Sequence, residues 1–242
     1  MLLACAASGG RVRGSALDSV ADGPTRQREA SVKPGINEPW RSRNVAPLIR
    51  RLESESREIW VQRDHIVQVV APEPGMIIAD IGAGSGFLTL MLAERVGPRG
   101  KIYAIDINPT LLDEIRKRAQ TKGLNNVETV LAAEDSIPLA PNSIDVVFMC
   151  DAYHHFEYPK STMRSLRAAL RETGEIVMVD LERIPGKTDA HMLEHLRAGK
   201  DIFRREIIEA GFELVQEHDV PELIENYVLR FRKSRANAGL CQ

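Results

Sequence analysis

The sequence predicts an α/β protein built on a doubly wound, mostly parallel sheet, and three observations carry that prediction. Short apolar runs alternate with helical periods from residue 76 to residue 179, the pattern of a parallel sheet covered on both faces. A glycine-dense turn, Asp80-Ile81-Gly82-Ala83-Gly84-Ser85-Gly86, joins the first strand to the first helix of that series. Near the C-terminus two strand patterns follow one another with no helix between them, which predicts an antiparallel pair at one edge.

In chain order, residues 1–35 read as a flexible extension, punctuated by Gly9, Gly10, Gly14, Gly23, Pro24, Pro34 and Gly35 with no apolar period between them. Residues 36–75 form a helical lead-in: Val45, Leu48, Ile49, Leu52, Ile59, Ile66, Val67 and Val70 fall on one stripe, and the charged residues 50–58 read as a solvated face. Pro72 and Pro74-Gly75 stop it. The domain proper spans 76–233. Strands are predicted at 76–81, 102–105, 127–131, 144–149 and 175–179, with helices at 87–96, 110–122 and 160–170. A helical stretch within 190–210 precedes the strand pair 212–217 and 226–231. Residues 234–242 are a short tail.

Composition bounds the function. The chain has 242 residues, 43% hydrophobic and 27% charged, which fits one full domain plus a tail. No apolar run approaches the roughly 18 residues of a membrane span. A formal net charge of −2 and 5% aromatic residues leave neither a basic stripe for phosphates nor a base-stacking platform, so no nucleic-acid partner is expected. Cys5, Cys150 and Cys241 are too scattered for a disulfide framework or a zinc knuckle. Leu2-Leu3-Ala4-Cys5 resembles a lipobox, but the charged segment and the roughly 7–15 apolar residues of a signal peptide are missing. The expected location is therefore cytoplasmic, the alternative being an exported lipoprotein whose start lies upstream.

The glycine turn carries the first chemical signal. Glycines there let the backbone approach a ligand beside a helix N-terminus, at the strand ends where open parallel sheets bind ligands. Phe87 stands where a dinucleotide fingerprint needs its third glycine, and no Gly-Lys-Ser/Thr follows, which excludes a P-loop. Asp80 would repel a pyrophosphate and favour a cation. Asp106 closes the second strand, where a carboxylate accepts both hydroxyls of a ribose. Glu134 and Asp135 follow the third strand, where a carboxylate can accept from an exocyclic adenine amine.

These residues resemble the class I S-adenosylmethionine-dependent methyltransferases over about residues 57–232. The run Cys150-Asp151-Ala152-Tyr153-His154-His155-Phe156 after the fourth strand looks like the type 11 branch, which includes the ubiquinone/menaquinone-biosynthesis enzymes. The resemblance implies a Rossmann-like, seven-stranded sheet with an antiparallel edge strand. It implies that Asp80, Gly82, Ala83, Gly84 and Gly86 wrap the methionine and sulfonium part of S-adenosylmethionine. Asp106 with Ile107 would hold the ribose, Glu134 and Asp135 flank the adenine, and Cys150 and Asp151 line the methionine side. Such a cofactor is a nucleoside bearing a cation and no phosphate, which suits an acidic, glycine-rich pocket.

The reaction expected is in-line methyl transfer to a small-molecule acceptor. His154 and His155 are the candidate catalytic pair, as general base or as a hydrogen bond to the acceptor. Tyr153, His191, His195 and Arg197 are placed on the substrate side, with Tyr153 more a packing residue and Arg197 able to neutralise an acidic substrate. Trp60 or Arg63 is a candidate lid, although a Trp at helical spacing is more often core. His191-Met192-Leu193-Glu194-His195 also matches the inverted zinc-protease pattern H-x-x-E-H, but so short a pattern arises readily by chance, and no metal is expected. The remaining alternatives are a protein or RNA methyltransferase, a zinc hydrolase, and a non-catalytic cofactor-binding domain.

Overall fold

The computed structural model describes residues 29–220 and 223–234, so Cys5 and Cys241 lie outside the described residues. Seven strands form one sheet: β1 (Ile77–Ile81), β2 (Lys101–Asp106), β3 (Val127–Leu131), β4 (Ile144–Cys150), β5 (Leu170–Leu181), β6 (Phe212–His218) and β7 (Asn226–Lys233). Their order is β3-β2-β1-β4-β5-β7-β6, parallel from β3 through β5. The antiparallel pair stands at one edge as predicted. Its antiparallel member, β7, lies inside β6 and pairs with both β5 and β6.

Period-two alternation divides the core between the two faces. Ala79, Val147, Met149, Ile176 and Met178 belong to one buried cluster with Met163 and Leu166 of α6 (Pro159–Ala169) and Phe203 and Ile207 of α8 (Lys200–Glu209). Ile78, Val146, Phe148, Val177 and Val179 belong to another, with Ile66, Val67 and Val70 of α3 (Arg63–Val70) and Leu88 and Leu92 of α4 (Phe87–Val96). The sheet order reverses direction at β1, between β2 and β4. That switch point opens a crevice at the carboxyl ends of the strands.

Three expectations change. The stripe over 45–70 is not one helix: it breaks into α1 (Ala46–Leu52), α2 (Glu58–Val61) and α3. At the first break the Ser54 hydroxyl accepts the Ser56 backbone N–H at 3.2 Å, a local bond that competes with the helix. The helix expected at 160–170 is α6, which ends at Ala169, and Leu170 instead opens β5, which extends the expected 175–179 to twelve residues. Residues 190–210 hold two helices, α7 (Ala190–His195) and α8.

Residues 29–35, expected within the extension, are tied to the domain. Glu157, only 6% exposed, takes the Ser31 hydroxyl at 2.7 Å and the Gly35 N–H at 3.1 Å. Glu29 accepts the N–H groups of Lys160 and Ser161 in the first turn of α6, where a carboxylate suits the helix dipole. Among the described residues no helix is long and apolar enough to cross a membrane.

Candidate functional site

A cleft of about 570 Å³ opens at the carboxyl ends of β1, β2 and β4, under a roof made by residues 37–59 and α7. Its floor is the glycine turn. Gly82 (φ 73°) and Gly84 (φ 55°) both adopt the left-handed backbone that L side chains disfavour. A Cβ on Gly82 would come within 2.7 Å of the Ala152 Cβ, and one on Gly84 within 2.9 Å of Leu52 Cδ1. At Gly82 the short Ala152 side chain leaves no room for another, whereas at Gly84 the end of Leu52 would have to move aside.

Asp106 is fixed by that same turn. Gly84 N–H donates to its Oδ2 and Asn108 N–H to its Oδ1, each at 2.9 Å. A carboxylate offers about four acceptor sites, so capacity remains beyond these backbone bonds. Burial raises its pKa, and the backbone hydrogen bonds oppose that rise. Asp80 is buried at the end of β1 with the Thr89 hydroxyl donating to it at 2.5 Å. Burial pushes its carboxyl up to about 7, the Thr89 bond opposing and the Asp106 charge adding to the rise.

Asp151 takes positive φ (49°) and directs its carboxylate to two partners. Arg57 forms an ion pair with Oδ2, and the Asn226 amide donates to Oδ1 at 2.5 Å. Arg57 therefore leaves the solvated face expected for it and straps the N-terminal segment to the end of β4. Glu134 lines the cleft and is bound by Arg41 at 2.5 Å, whereas Asp135 is exposed and outside the lining. Ala83, Ile107 and Cys150 line the cleft; burial drives the Cys150 thiol well up, which keeps it protonated and unreactive.

The histidines converge on the opposite wall. His154 follows β4 and is 2% exposed; its Nδ1 lies 2.7 Å from Asp180 Oδ1, and its backbone N–H donates to Asp180 Oδ2 at 3.1 Å. His155 packs against it at 4.3 Å between ring centroids, with the Trp40 ring edge-on at 5.4 Å. His195, at the end of α7, is 5.3 Å from His154 and 5.0 Å from His155. Burial, reinforced by the neighbouring His154, holds His155 down to about 2 and His195 to about 4. A base that weak takes no proton from an acceptor of ordinary pKa, so the general-base reading of His155 does not fit its surroundings.

Three other expectations move, those for Arg197, His191 and the lid pair Trp60 or Arg63. Tyr153 is fully buried in the core and donates its hydroxyl to Glu206 at 3.1 Å. Arg197 is held by the same Glu206 through two bonds of 2.8 and 2.7 Å and stacks over Phe203, so it is not free to meet a substrate. Neither lines the cleft, and neither does His191, which is exposed and stacked on His195 at 6.4 Å. Trp60 packs on Phe87, and Arg63 covers Trp60, so the roof uses Trp40, Arg51 and Arg57 in their place. Asp180 was legible but unread: it is a carboxylate closing an apolar strand, the signal Asp80 and Asp106 also give.

A Rossmann-like sheet with this antiparallel pair and an acidic, glycine-floored cleft defines a class I methyltransferase domain. The chain belongs to the methyltransferase-domain family, whose model matches residues 72–226. Among curated proteins it is 29% identical over 117 residues to the ubiquinone/menaquinone biosynthesis C-methyltransferase UbiE of Shewanella frigidimarina, covering 48% of this chain and 47% of that protein. It is 30% identical over 121 residues to UbiE of Ectopseudomonas mendocina, covering 50% and 47%. The aligned part is thus about half the length of the curated relatives. Among solved structures, a SAM-dependent methyltransferase from Aquifex aeolicus superposes with a TM-score of 0.68 at 23% identity, over 76% of this chain and 95% of that one. The [4+2]-cyclase SpnF superposes with a TM-score of 0.69 at 16% identity, over 87% and 100%.

Proposed function

We propose that this chain is a methyltransferase that moves a methyl group from S-adenosylmethionine to a small-molecule acceptor. The observation that carries the reading is Asp106: a carboxylate held rigid by the glycine turn through Gly84, with acceptor capacity left for the hydroxyls of a ribose. The bound cofactor supplies an activated methyl on a sulfonium cation. The chain's own residues do the rest. Asp106 fixes the ribose, the turn from Asp80 to Gly86 admits the methionine part, and Asp80, Asp151 and Glu134 give the cleft an acidic lining. Arg57 and Arg41 hold two of those carboxylates and close the roof. His154, His155 and His195 form the wall that faces the acceptor. A cleft of about 570 Å³ suits a small acceptor beside the cofactor; a cytoplasmic location belongs to the same proposal, and finding a lipid on Cys5 of the native protein would overturn that part.

Calorimetry with S-adenosylhomocysteine and with NAD tests the cofactor. Binding of the first and not the second is expected, and tighter binding of NAD would defeat the assignment. A screen of thiols, phenols, quinols and amines with methyl-labelled cofactor then identifies the acceptor; a protein that binds the cofactor but labels none of these classes would favour a non-catalytic binding domain.

A further inference from the structure

Three imidazoles meet in the cleft from two distant parts of the chain: His154 and His155 after β4, and His195 at the end of α7. One ring nitrogen from each lies within 4.8 Å of the others. We infer that His154, His155 and His195 form a three-histidine site for a divalent transition-metal ion of the zinc class. The inference deepens the reading of this wall as the acceptor side, and it rests on that reading only for what the metal does there.

The first argument is donor chemistry. Neutral imidazole suits zinc, cobalt, nickel and iron, and three histidines with one open position form a known type of catalytic zinc centre. Zn–N bonds of about 2.0–2.1 Å in a tetrahedron put ligand nitrogens roughly 3.4 Å apart. The observed 4.8 Å therefore asks the rings to close by somewhat more than an ångström, within the reach of side-chain rotation at the half-exposed His195.

The second argument is orientation. A metal-ligating histidine characteristically gives its other ring nitrogen to a carboxylate. Asp180 does this for His154: it is fully buried, it binds Nδ1, and its grip on the backbone N–H fixes the ring's position. That leaves Nε2 of His154 as the available ligand atom. The third argument is an unmet need. His155 Nδ1 is buried without a hydrogen-bond partner among the described residues. Leaving such an atom bare is unfavourable, and a bound ion would satisfy it. The H-x-x-E-H pattern contributes only its last histidine to this cluster, because His191 is exposed outside the cleft.

The class of acceptor such a site takes carries a weakly acidic coordinating group, a thiol or a phenol. Coordination lowers that group's pKa, and its proton leaves to solvent. The acceptor atom then forms its bond to the methyl as the methyl–sulfur bond breaks, and the bonding pair stays on sulfur as a neutral thioether. A protein base to remove the proton is then unnecessary.

The test uses the full chain, stripped with a chelator and dialysed. Zinc sulfate is titrated against a chromophoric indicator, with S-adenosylhomocysteine calorimetry run in parallel on every sample. Expected are one zinc per chain and at least a tenfold loss of zinc affinity in each of His155→Ala and His195→Ala. S-adenosylhomocysteine binding should survive in both variants, showing that they are folded. His191→Ala should bind zinc like the parent chain. No zinc binding by the parent, or binding unchanged in the two variants, overturns the site. Loss on His191→Ala overturns this trio in favour of the helical pattern. Failure to bind S-adenosylhomocysteine would count against the proposed function and leave the zinc result to stand separately.

Discussion

Asp180 Oδ1 lies 2.7 Å from His154 Nδ1, and neither residue is more than 2% exposed. A buried carboxylate in this position selects the tautomer with hydrogen on Nδ1 and aims the other nitrogen at the cleft. Asp180→Asn keeps the shape and an acceptor oxygen but removes the charge that enforces this tautomer. Zinc affinity and methyl transfer should each fall about 10–100-fold. Affinity for S-adenosylhomocysteine should stay within error, because Asp180 does not line the cofactor half of the cleft. Equal losses in zinc and cofactor binding would mean that the residue only holds the fold.

Asp106 should dominate cofactor affinity. Asp106→Asn preserves one acceptor for a backbone N–H and removes the charge-assisted bonds to a diol. The expected loss is about 1.5–3 kcal/mol in S-adenosylhomocysteine binding by calorimetry. A folded variant with an unchanged dissociation constant would remove the ribose role.

Asp80 predicts a pH dependence. Its folded-state pKa is raised to about 7, so the folded protein keeps a proton that an unfolded chain loses near pH 4. The stability this provides is complete below pH 4 and is lost as pH rises toward 7. Binding of a sulfonium cation has the opposite sign, since it favours the ionised carboxylate and expels the proton. Cofactor affinity should rise with pH, by at most about tenfold per unit below 7, and level off above it. Thr89→Val removes a bond that favours the charged form, so the midpoint should move upward. A flat profile between pH 5.5 and 8.5 would separate Asp80 from the cation.

Arg57 and Asp151 predict a second, weaker dependence. Arg57→Leu leaves Asp151 with Asn226 as its side-chain partner, and the cost should be about 1–3 kcal/mol in urea denaturation at pH 8. Burial already raises the Asp151 pKa, with Arg57 opposing, and loss of the guanidinium raises it further. The penalty exists only while the carboxylate is charged. It should shrink as pH falls toward 5, and a penalty independent of pH would assign the effect to packing.

These pairs also mark what the sequence made legible. The glycine turn, Asp106 and the alternation of strands and helices are local patterns, and each appears where the residues placed it. Arg57–Asp151 and His155–His195 depend on which loops the sheet order brings together, and both span dozens of residues. No periodicity encodes those meetings. The stripe over 45–70 misled because apolar spacing continues across the serine-bonded turn at 54–56. Arg197 differs from its expectation for another reason: a polar tip near a site reads as able to meet a substrate, yet Glu206 satisfies it.

The last prediction concerns residues 29–35. Glu157 is a buried carboxylate whose oxygens are met by Ser31 and Gly35, both of which a chain beginning at residue 36 would lack. Two bonds to a charged, poorly solvated acceptor predict a loss of about 2–4 kcal/mol for that truncation. At roughly 2–4 °C per kcal/mol for a domain of this size, the melting temperature should fall by at least about 4 °C. Lys33 adds a functional consequence. Its ammonium donates to the backbone carbonyls of Glu194 and, at 2.9 Å, His195, tying down the C-terminal end of α7. Lys33→Ala in the full chain should therefore weaken zinc binding several-fold while leaving cofactor affinity intact, because it loosens the helix that carries His195 without touching Asp106. A truncated protein with the parent's melting temperature would return residues 29–35 to the status of a free extension, and unchanged zinc affinity in Lys33→Ala would show that α7 holds His195 without this anchor.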